Sequence, residues 1–324
     1  MISVICPTFN ERDYISGVID FFLRVEPSEK ELLIVDGGSV DGTREIVKRY
    51  QEKNSNVRLI DNPDRFVPYA LNAGIKASKG DPIICIGAHS EFADDYFVKI
   101  LETFSTVDAD IVGGPTRTRA KEPKQQAIAS AISCVFGTGD SKVHDENYRG
   151  YSDHVTFGAW KRSLFEDVGY FDEELIRDQD DEFHYRAKSK GKKLFLNPDI
   201  KLYYYPRSSF VSLFKQYYQY GFFKPLVFKK VASEIKFRHI APALFVIYLA
   251  ASPLSIVFPL LVIPLALYLI LLLYFSVSKG KSIIERLYLL ITFPVIHTGY
   301  GSGILMHYVG YSSHDAKKNT QGSR

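Results

Sequence analysis

Four carboxylates crowd into five residues at Asp178, Asp180, Asp181 and Glu182, inside the run Arg177-Asp178-Gln179-Asp180-Asp181-Glu182-Phe183-His184-Tyr185-Arg186. Such a run repels itself. It is held either by solvent at a helix start, where the dipole favours negative charge, or by a site that uses the charge. Three more polar clusters follow strand-like runs: Pro7-Thr8-Phe9-Asn10-Glu11, then Asp36-Gly37-Gly38-Ser39-Val40-Asp41-Gly42-Thr43, then Gly87-Ala88-His89-Ser90-Glu91. Ligands of open parallel sheets bind beyond the carboxyl ends of strands, which is where these clusters fall. An acid such as Asp36 at a strand end suits hydrogen bonding to a base or ribose, or serves as a turn-forming or capping residue. No GxGxxG follows the first strand and no GxxxxGK[ST] occurs anywhere, which argues against dinucleotide dehydrogenases and P-loop NTPases.

The elements that must position these clusters alternate along the first two-thirds of the chain. Residues 2–6, 31–35, 57–60 and 82–86 read as strands, the second nearly continuous in apolar residues, as for a strand covered on both faces. Residues 14–24, 43–51 and 69–78 read as helices, with Ile15, Val18, Ile19 and Phe22 at helical spacing. This β-α-β-α order requires crossover connections and a mostly parallel sheet with helices on both faces. Residues 116–153 mix basic, Gly and small residues and read as loops with one helix.

The chain has 324 residues and a formal charge of +3 from 40 Lys+Arg and 37 Asp+Glu, a balance that argues against a nucleic-acid binder. Cys6, Cys85 and Cys134 show no CxxC or metal-type spacing and read as buried free thiols in a reducing compartment. No secretory signal is expected in the opening residues.

Residues 240–278 contain no Asp, Glu, Lys or Arg, enough for two short membrane helices joined by a turn among Pro253, Pro259 and Pro264. A third apolar run, 287–311, carries His297, His307 and glycines at 299, 301, 303 and 310. Its small residues suit close helix packing, and its histidines suit hydrogen bonding between helices better than a metal pair. Lys224, Lys229, Lys230, Lys236 and Arg238 precede the first run and Lys279, Lys281 and Arg286 follow the second, which places both flanks on the cytoplasmic side. Residues 210–238, basic and aromatic, read as a helix in the headgroup layer or one packed on the soluble part. The expected organisation is therefore 1–209 catalytic, 210–238 interfacial, 239–311 with two to three transmembrane helices, and 312–324 a polar tail.

In this order and spacing, Pro7-Thr8-Phe9-Asn10-Glu11 and Val35 to Thr43 resemble the opening signatures of family 2 glycosyltransferases, which have the α/β GT-A fold. Phe157-Gly158-Ala159-Trp160-Lys161-Arg162, Gly169-Tyr170-Phe171-Asp172-Glu173 and Gln179 to Arg186 resemble the membrane-associated, succinoglycan-biosynthesis-type subgroup. The resemblance implies inverting transfer of a sugar from a nucleotide donor, a UDP-sugar first, to an acceptor hydroxyl, plausibly on a polyprenyl-linked glycan in surface polysaccharide assembly at the inner membrane. Such a displacement needs one base and something to offset charge on the departing diphosphate. By the family pattern the base falls on Asp180, with Asp181 and Glu182 as runners-up and Arg186 as their partner. Pro7, Thr8, Glu11, Asp36, Gly87 and His89 match donor-binding positions, and Gln216 and Tyr220 match, loosely, an acceptor-side motif. Where the family presents Asp-x-Asp or Asp-Ala-His, this chain has Gly87-Ala88-His89, so Mg²⁺ or Mn²⁺ would be left with His89 and the diphosphate. The rival reading is a catalytically degenerate, nucleotide-sugar-binding membrane protein of an assembly complex.

Overall fold

The computed structural model describes residues 1–310 and divides into two compact units, Met1–Arg117 with Lys142–Tyr204, and Thr118–Ser141 with Tyr205 onward. The polar tail expected at 312–324 lies outside the described residues. The sequence reading assigned 1–209 to one domain; the structure instead groups 118–141 with the apolar C-terminal helices.

The first unit is laid down as β1 (Ile2–Thr8), α1 (Ile15–Arg24), β2 (Lys30–Asp36), α2 (Thr43–Lys53), β3 (Val57–Asp61), α3 (Val67–Ala77), β4 (Ile83–Cys85), β5 (Glu91–Phe92), α4 (Tyr96–Thr106), β6 (Ile111–Gly113) and β7 (Thr116–Thr118). After α5 (Pro123–Ile132) and α6 (Val135–Thr138) of the second unit, the first resumes with β8 (Gly150–Tyr151), β9 (Ala159–Trp160), α7 (Leu164–Val168), α8 (Gln179–Ser189), β10 (Leu194–Leu196) and β11 (Leu202–Tyr204). Two helices thus stand in the region read as loops with one helix.

Eight strands form a sheet in the order β3-β2-β1-β4-β9-β6-β10-β8, and β5-β11-β7 form a small second sheet. β3, β2, β1 and β4 are mutually parallel, β9 runs antiparallel to both β4 and β6, and β10 is parallel to β6. The strands bury both faces, which explains their unbroken apolar runs. Val4, Cys6, Leu32 and Ile34 face one core, with Phe22 of α1, Val47 of α2 and Phe97 of α4. Their neighbours Ile5, Leu33 and Val35 face the opposite core, with Leu71 of α3, Phe165 of α7 and Phe183 of α8. All three cysteines are free and buried, and burial pushes the Cys6 thiol up to about 12, so it stays protonated.

The second unit contains α9 (Phe210–Lys230), α10 (Phe237–Ala251), α11 (Val262–Lys279) and α12 (Ile283–Gly310). Three stretches, Phe237–Ile256, Pro259–Lys279 and Ile283–Gly310, are long and apolar enough to cross a bilayer. Gly299, Gly301 and Gly303 of α12 have the packing role their spacing suggested, whereas a Cβ at Gly310 would meet nothing within 4 Å. A Cβ at Gly303 would overlap the Tyr218 carbonyl of α9, and one at Gly301 the Pro242 carbonyl of α10. α9 therefore packs along α12. His297 bonds the Tyr268 hydroxyl (3.0 Å) and Phe136 carbonyl (2.7 Å), and His307 bonds the Phe222 carbonyl (2.8 Å); the two histidines serve separate hydrogen bonds.

Gly80 passes over the start of β1 so closely that a Cβ would lie 2.5 Å from the Ile2 carbonyl carbon and 2.7 Å from the Met1 oxygen. Backbone cannot swing aside as a rotamer can, so Gly80→Ala is expected to destabilise the first unit by about 1–3 kcal/mol. The chain's one tryptophan, Trp160, is buried in that unit and reports its unfolding by fluorescence. An unchanged Trp160 midpoint would contradict the packing described.

Candidate active site

β1, β2 and β4 are parallel and in register, so the segments that follow them emerge at one edge of the sheet. The β2 end is built around Asp36, whose side chain has no exposed surface. Its carboxylate accepts from Gly38 N and Ser39 N (both 3.0 Å), Ser39 Oγ (2.5 Å) and Arg44 Nη1 (2.7 Å). Arg44 reaches on to Asp61 at the end of β3 (2.7 Å). A buried carboxylate is costly unless charge-assisted bonds replace its water, and here they do.

From Asp36 the order passes to the β1 loop. Asn10 N donates to Ser39 Oγ (2.7 Å), Val40 N donates to Asn10 Oδ1 (3.0 Å), and Glu11 N donates to Thr43 Oγ1 (2.8 Å). Asn10 takes a left-handed φ of 53°, which asparagine tolerates better than most residues. Glu11 is thereby held at 6% exposure, with Oε2 3.1 Å from His89 Nδ1. The His89 ring lies against Tyr14, centroids 4.5 Å apart, and its side chain is 59% exposed. A carboxylate on Nδ1 favours the tautomer protonated there and keeps Nε2 as the lone-pair atom.

Gly87 has a steric reason. A Cβ there would lie 2.7 Å from Cζ and 2.9 Å from Cε1 of Phe157. Phe157 has a left-handed φ of 47°, and its carbonyl accepts from the Tyr96 hydroxyl at 2.9 Å. An aromatic ring fills the space that a carboxylate side chain at position 87 would enter.

The acidic run opens α8. Asp178, at φ 56°, precedes the helix and its carbonyl accepts from Glu182 N, which leaves Asp180 and Asp181 in the first turn where the dipole favours their charge. Asp181 Oδ1 lies 2.9 Å from His154 Nδ1, and Asp180 Oδ2 lies 3.7 Å from His154 Nε2. Asp180 is the more open of the two, 47% against 21% exposed. Burial is the main cause that pushes the Cys85 thiol of β4 upward, with smaller effects from Cys6 and Asp180. One loop, 152–158, touches both halves of the site: His154 meets Asp180 and Asp181, and Phe157 covers Gly87.

Three assignments change. Glu182 was grouped with the reacting carboxylates, but it is 2% exposed and Arg186 engages both its oxygens at 2.7 and 2.9 Å. The same guanidinium donates to the carbonyls of Val168 (2.5 Å) and Tyr170 (2.8 Å), so the pair anchors the segment after α7 and is not placed to take a substrate proton. Asp36, expected to contact a nucleoside, is enclosed, with three donors on Oδ2 and one on Oδ1 that come from its own loop and from Arg44 and order the rim. Thr8 turns its hydroxyl back to the Cys6 carbonyl (3.0 Å), while its own carbonyl accepts from Gly37 N, and Pro7 continues the β1 ladder opposite Val35. Gln216 and Tyr220 lie one helical turn apart on α9 of the second unit, with Gln216 Nε2 donating to the Tyr220 hydroxyl (3.0 Å). Ser39 and Phe157 stood inside motif runs without a role of their own, and Arg44 and His154 were not named. Ser39 and Thr43 carried a turn-and-cap signal, whereas the contacts of His154 and Phe157 arise from a loop meeting distant elements.

Beyond the carboxyl ends of the parallel strands β1, β2 and β4 stand Glu11, Asp36 and His89, at the edge where open α/β sheets bind their ligands. The chain belongs to glycosyl transferase family 2, whose family model matches residues 3–169, and it has the GT-A fold. It is similar to the succinoglycan biosynthesis protein ExoA of Rhizobium meliloti (strain 1021), 31% identical over 67% of this chain and 67% of that protein. It is also similar to the dolichyl N-acetyl-alpha-D-glucosaminyl phosphate 3-beta-D-2,3-diacetamido-2,3-dideoxy-beta-D-glucuronosyltransferase of Methanococcus voltae, 33% identical over 71% of this chain and 74% of that one. Among solved structures, the mannosyltransferase PcManGT from Pyrobaculum calidifontis, in complex with GDP-Man and Mn²⁺, shares the fold with a TM-score of 0.64. That match has 18% identity and covers 95% of this chain and 86% of that one.

Burial holds two histidines beside the site neutral. It pushes His184 well below 6.5, and His144 down to about 4, with the neighbouring His154 adding to both effects. Unfolding frees each to take a proton below its ordinary value, so the unfolded chain binds more protons and stability rises with pH across roughly 4 to 6.5. His184→Gln is expected to flatten the pH dependence of the Trp160 unfolding midpoint over that window. A variant whose midpoint follows the same pH slope as the parent would contradict neutral burial.

Proposed function

We propose that this glycosyltransferase inverts the anomeric carbon, with Asp180 as the base that takes the acceptor hydroxyl's proton. The observation that carries this reading is the pairing on α8. Asp180 is open at the helix N-terminus, while its neighbour Asp181 is engaged by His154. A single displacement needs one such base and forms no covalent intermediate, in contrast to retaining two-carboxylate chemistry. The proposed donor is a nucleoside-diphosphate sugar, a UDP-sugar before others, bound over Glu11 and His89. The proposed acceptor is a lipid-linked glycan in polysaccharide biosynthesis, in keeping with the Rhizobium relative's being a succinoglycan biosynthesis protein. Gln216 and Tyr220 are proposed on its side of the reaction.

Among the described residues no three His, Cys, Asp or Glu side chains converge to hold a metal ion. His89, its Nδ1 engaged by Glu11, offers Nε2 as one ligand atom. We propose that Mg²⁺ or Mn²⁺ binds only together with the donor, held by His89 and phosphate oxygens, and supplies charge neutralisation for the leaving diphosphate. The candidate spans would anchor the enzyme in the inner membrane, multi-pass, with the first unit cytoplasmic. Lys229, Lys230 and Lys236 before the first span, Lys279 at the end of the second and Lys281 between the second and third, then fall on one side. Confinement to the interface raises the effective concentration of a lipid-linked acceptor.

Asp180→Asn is expected to lower transfer by roughly 10²–10⁴-fold, the usual worth of a general base, while UDP affinity measured by calorimetry stays near the parent value. Retained turnover would move the base elsewhere, and zero turnover in the parent despite donor binding would favour the degenerate reading. Mn²⁺ titrated alone is expected to give little heat, and with UDP present a saturable signal that His89→Ala weakens. Equal Mn²⁺ binding with and without UDP would contradict the donor-dependent site.

A further inference from the structure

His154 is held in place from several sides. Its loop joins β8 to β9, Ser152 Oγ donates to the His154 carbonyl (2.9 Å) and accepts from its N–H (3.3 Å), and the following Val155 is 1% exposed. The loop ends at Phe157, whose backbone the Tyr96 hydroxyl fixes. The imidazole therefore enters the site with little freedom of its own.

Every neighbour of this ring bears on protonation. From α8, Asp181 approaches Nδ1 at 2.9 Å, Asp180 approaches Nε2 at 3.7 Å, and the His184 ring stands edge-on with centroids 4.9 Å apart. From the turn at Lys142–His144, His144 is close enough for their charges to interact. Beside it, Asp153 pairs with Lys188 at 2.6 Å, and Cys85 stays a neutral thiol. His184 is 1% exposed, and its Nε2 has no hydrogen-bond partner among the described residues. Its Nδ1 lies 3.3 Å from His154 Nδ1, the same atom that Asp181 approaches. Buried and neutral, His184 carries one proton. If Nδ1 of His154 donates to Asp181, the facing Nδ1 of His184 must present its lone pair, because two N–H groups cannot point at each other. The ring orientation and proton placement of His154 are thus constrained from behind as well as in front.

We infer that His154 is a positioning residue for the base: wedged between His184 and the two carboxylates of α8, it holds Asp181 through Nδ1–H and leaves Asp180 to accept the acceptor's proton. The inference rests on the reading of Asp180 as base. Two adjacent carboxylates would otherwise raise each other's proton affinity, and a donor on one of them keeps that one ionised and out of the chemistry. A proton taken by Asp180 would also face Nε2 of the same ring.

The test is the pH profile of kcat/KM for the full-length, membrane-embedded protein and its His154→Ala and His154→Gln variants, with folding checked by the Trp160 midpoint. His154→Ala is expected to raise the acid limb by about one pH unit as the carboxylate pair loses its donor. Its kcat should fall about tenfold, less than the roughly 10²–10⁴-fold worth of the base itself, with donor KM little changed. Gln, which keeps an N–H donor, should restore part of both. A folded His154→Ala protein whose acid limb does not move overturns the inference, as does an effect confined to donor KM. Should Ala prove unfolded, the Gln variant decides: an acid limb identical to the parent's counts against the inference and a partial shift supports it. Asp180→Asn and Asp181→Asn run in parallel keep the two readings apart. Full activity in Asp180→Asn defeats the base assignment, whereas loss in Asp180→Asn with an unmoved His154→Ala limb defeats only the role of His154.

Discussion

A carboxylate taken wholly out of water is the constraint on which the rest of this structure turns. Asp36 has no exposed surface, and four hydrogen bonds from its own loop and from Arg44 stand in for the water it has lost. Those donors fix residues 36–44. Ser39 and Thr43 then fix Asn10 and Glu11, and Glu11 fixes the ring of His89. A site with exposed, polar working parts thus gains its order from a buried charge behind it, and loss of any link would loosen the links that follow.

Much of the fold was legible because burial on both faces leaves a plain trace. Residues 31–35 are apolar without a break because Leu32 and Ile34 enter one core and Leu33 and Val35 the other. The uncharged stretch 240–278 was equally legible, since only lipid or a very large core tolerates it. What escaped was long-range. β9 enters the sheet between β4 and β6 as a two-residue strand, too short to leave a periodicity. Residues 116–153 read as loops with one helix because α5 shows its apolar face only toward α12: Ala127, Ile128 and Ala131 pack with Leu289 and Phe293, and Ser130 bonds Glu285 at 2.8 Å.

The site divides along the same line. Motifs located the strand ends and the acidic run, because turn and cap chemistry is local. They put the base on Asp180 by family pattern and left Asp181 and Glu182 as runners-up, because what separates adjacent acids is the partners each meets in space. Glu182 and Asp181 are adjacent in sequence, yet Arg186 takes the first into a structural clamp and His154 takes the second. The missing acid at Gly87 likewise looked like a defect until Phe157 was seen to fill its space. The rim there differs in shape, with the His89 imidazole exposed and paired with Glu11.

The account stands on a nucleoside diphosphate seated at the β1 and β2 ends, and the most direct measurement is where a bound one touches the chain. Light-activated 5-azido-UDP, added to membranes containing the protein and followed by peptide mass spectrometry, reads this without requiring turnover. The account expects label within residues 7–14 or 37–46, suppressed by excess UDP. Label that UDP suppresses but that falls wholly outside these segments, or none that UDP suppresses, would contradict it.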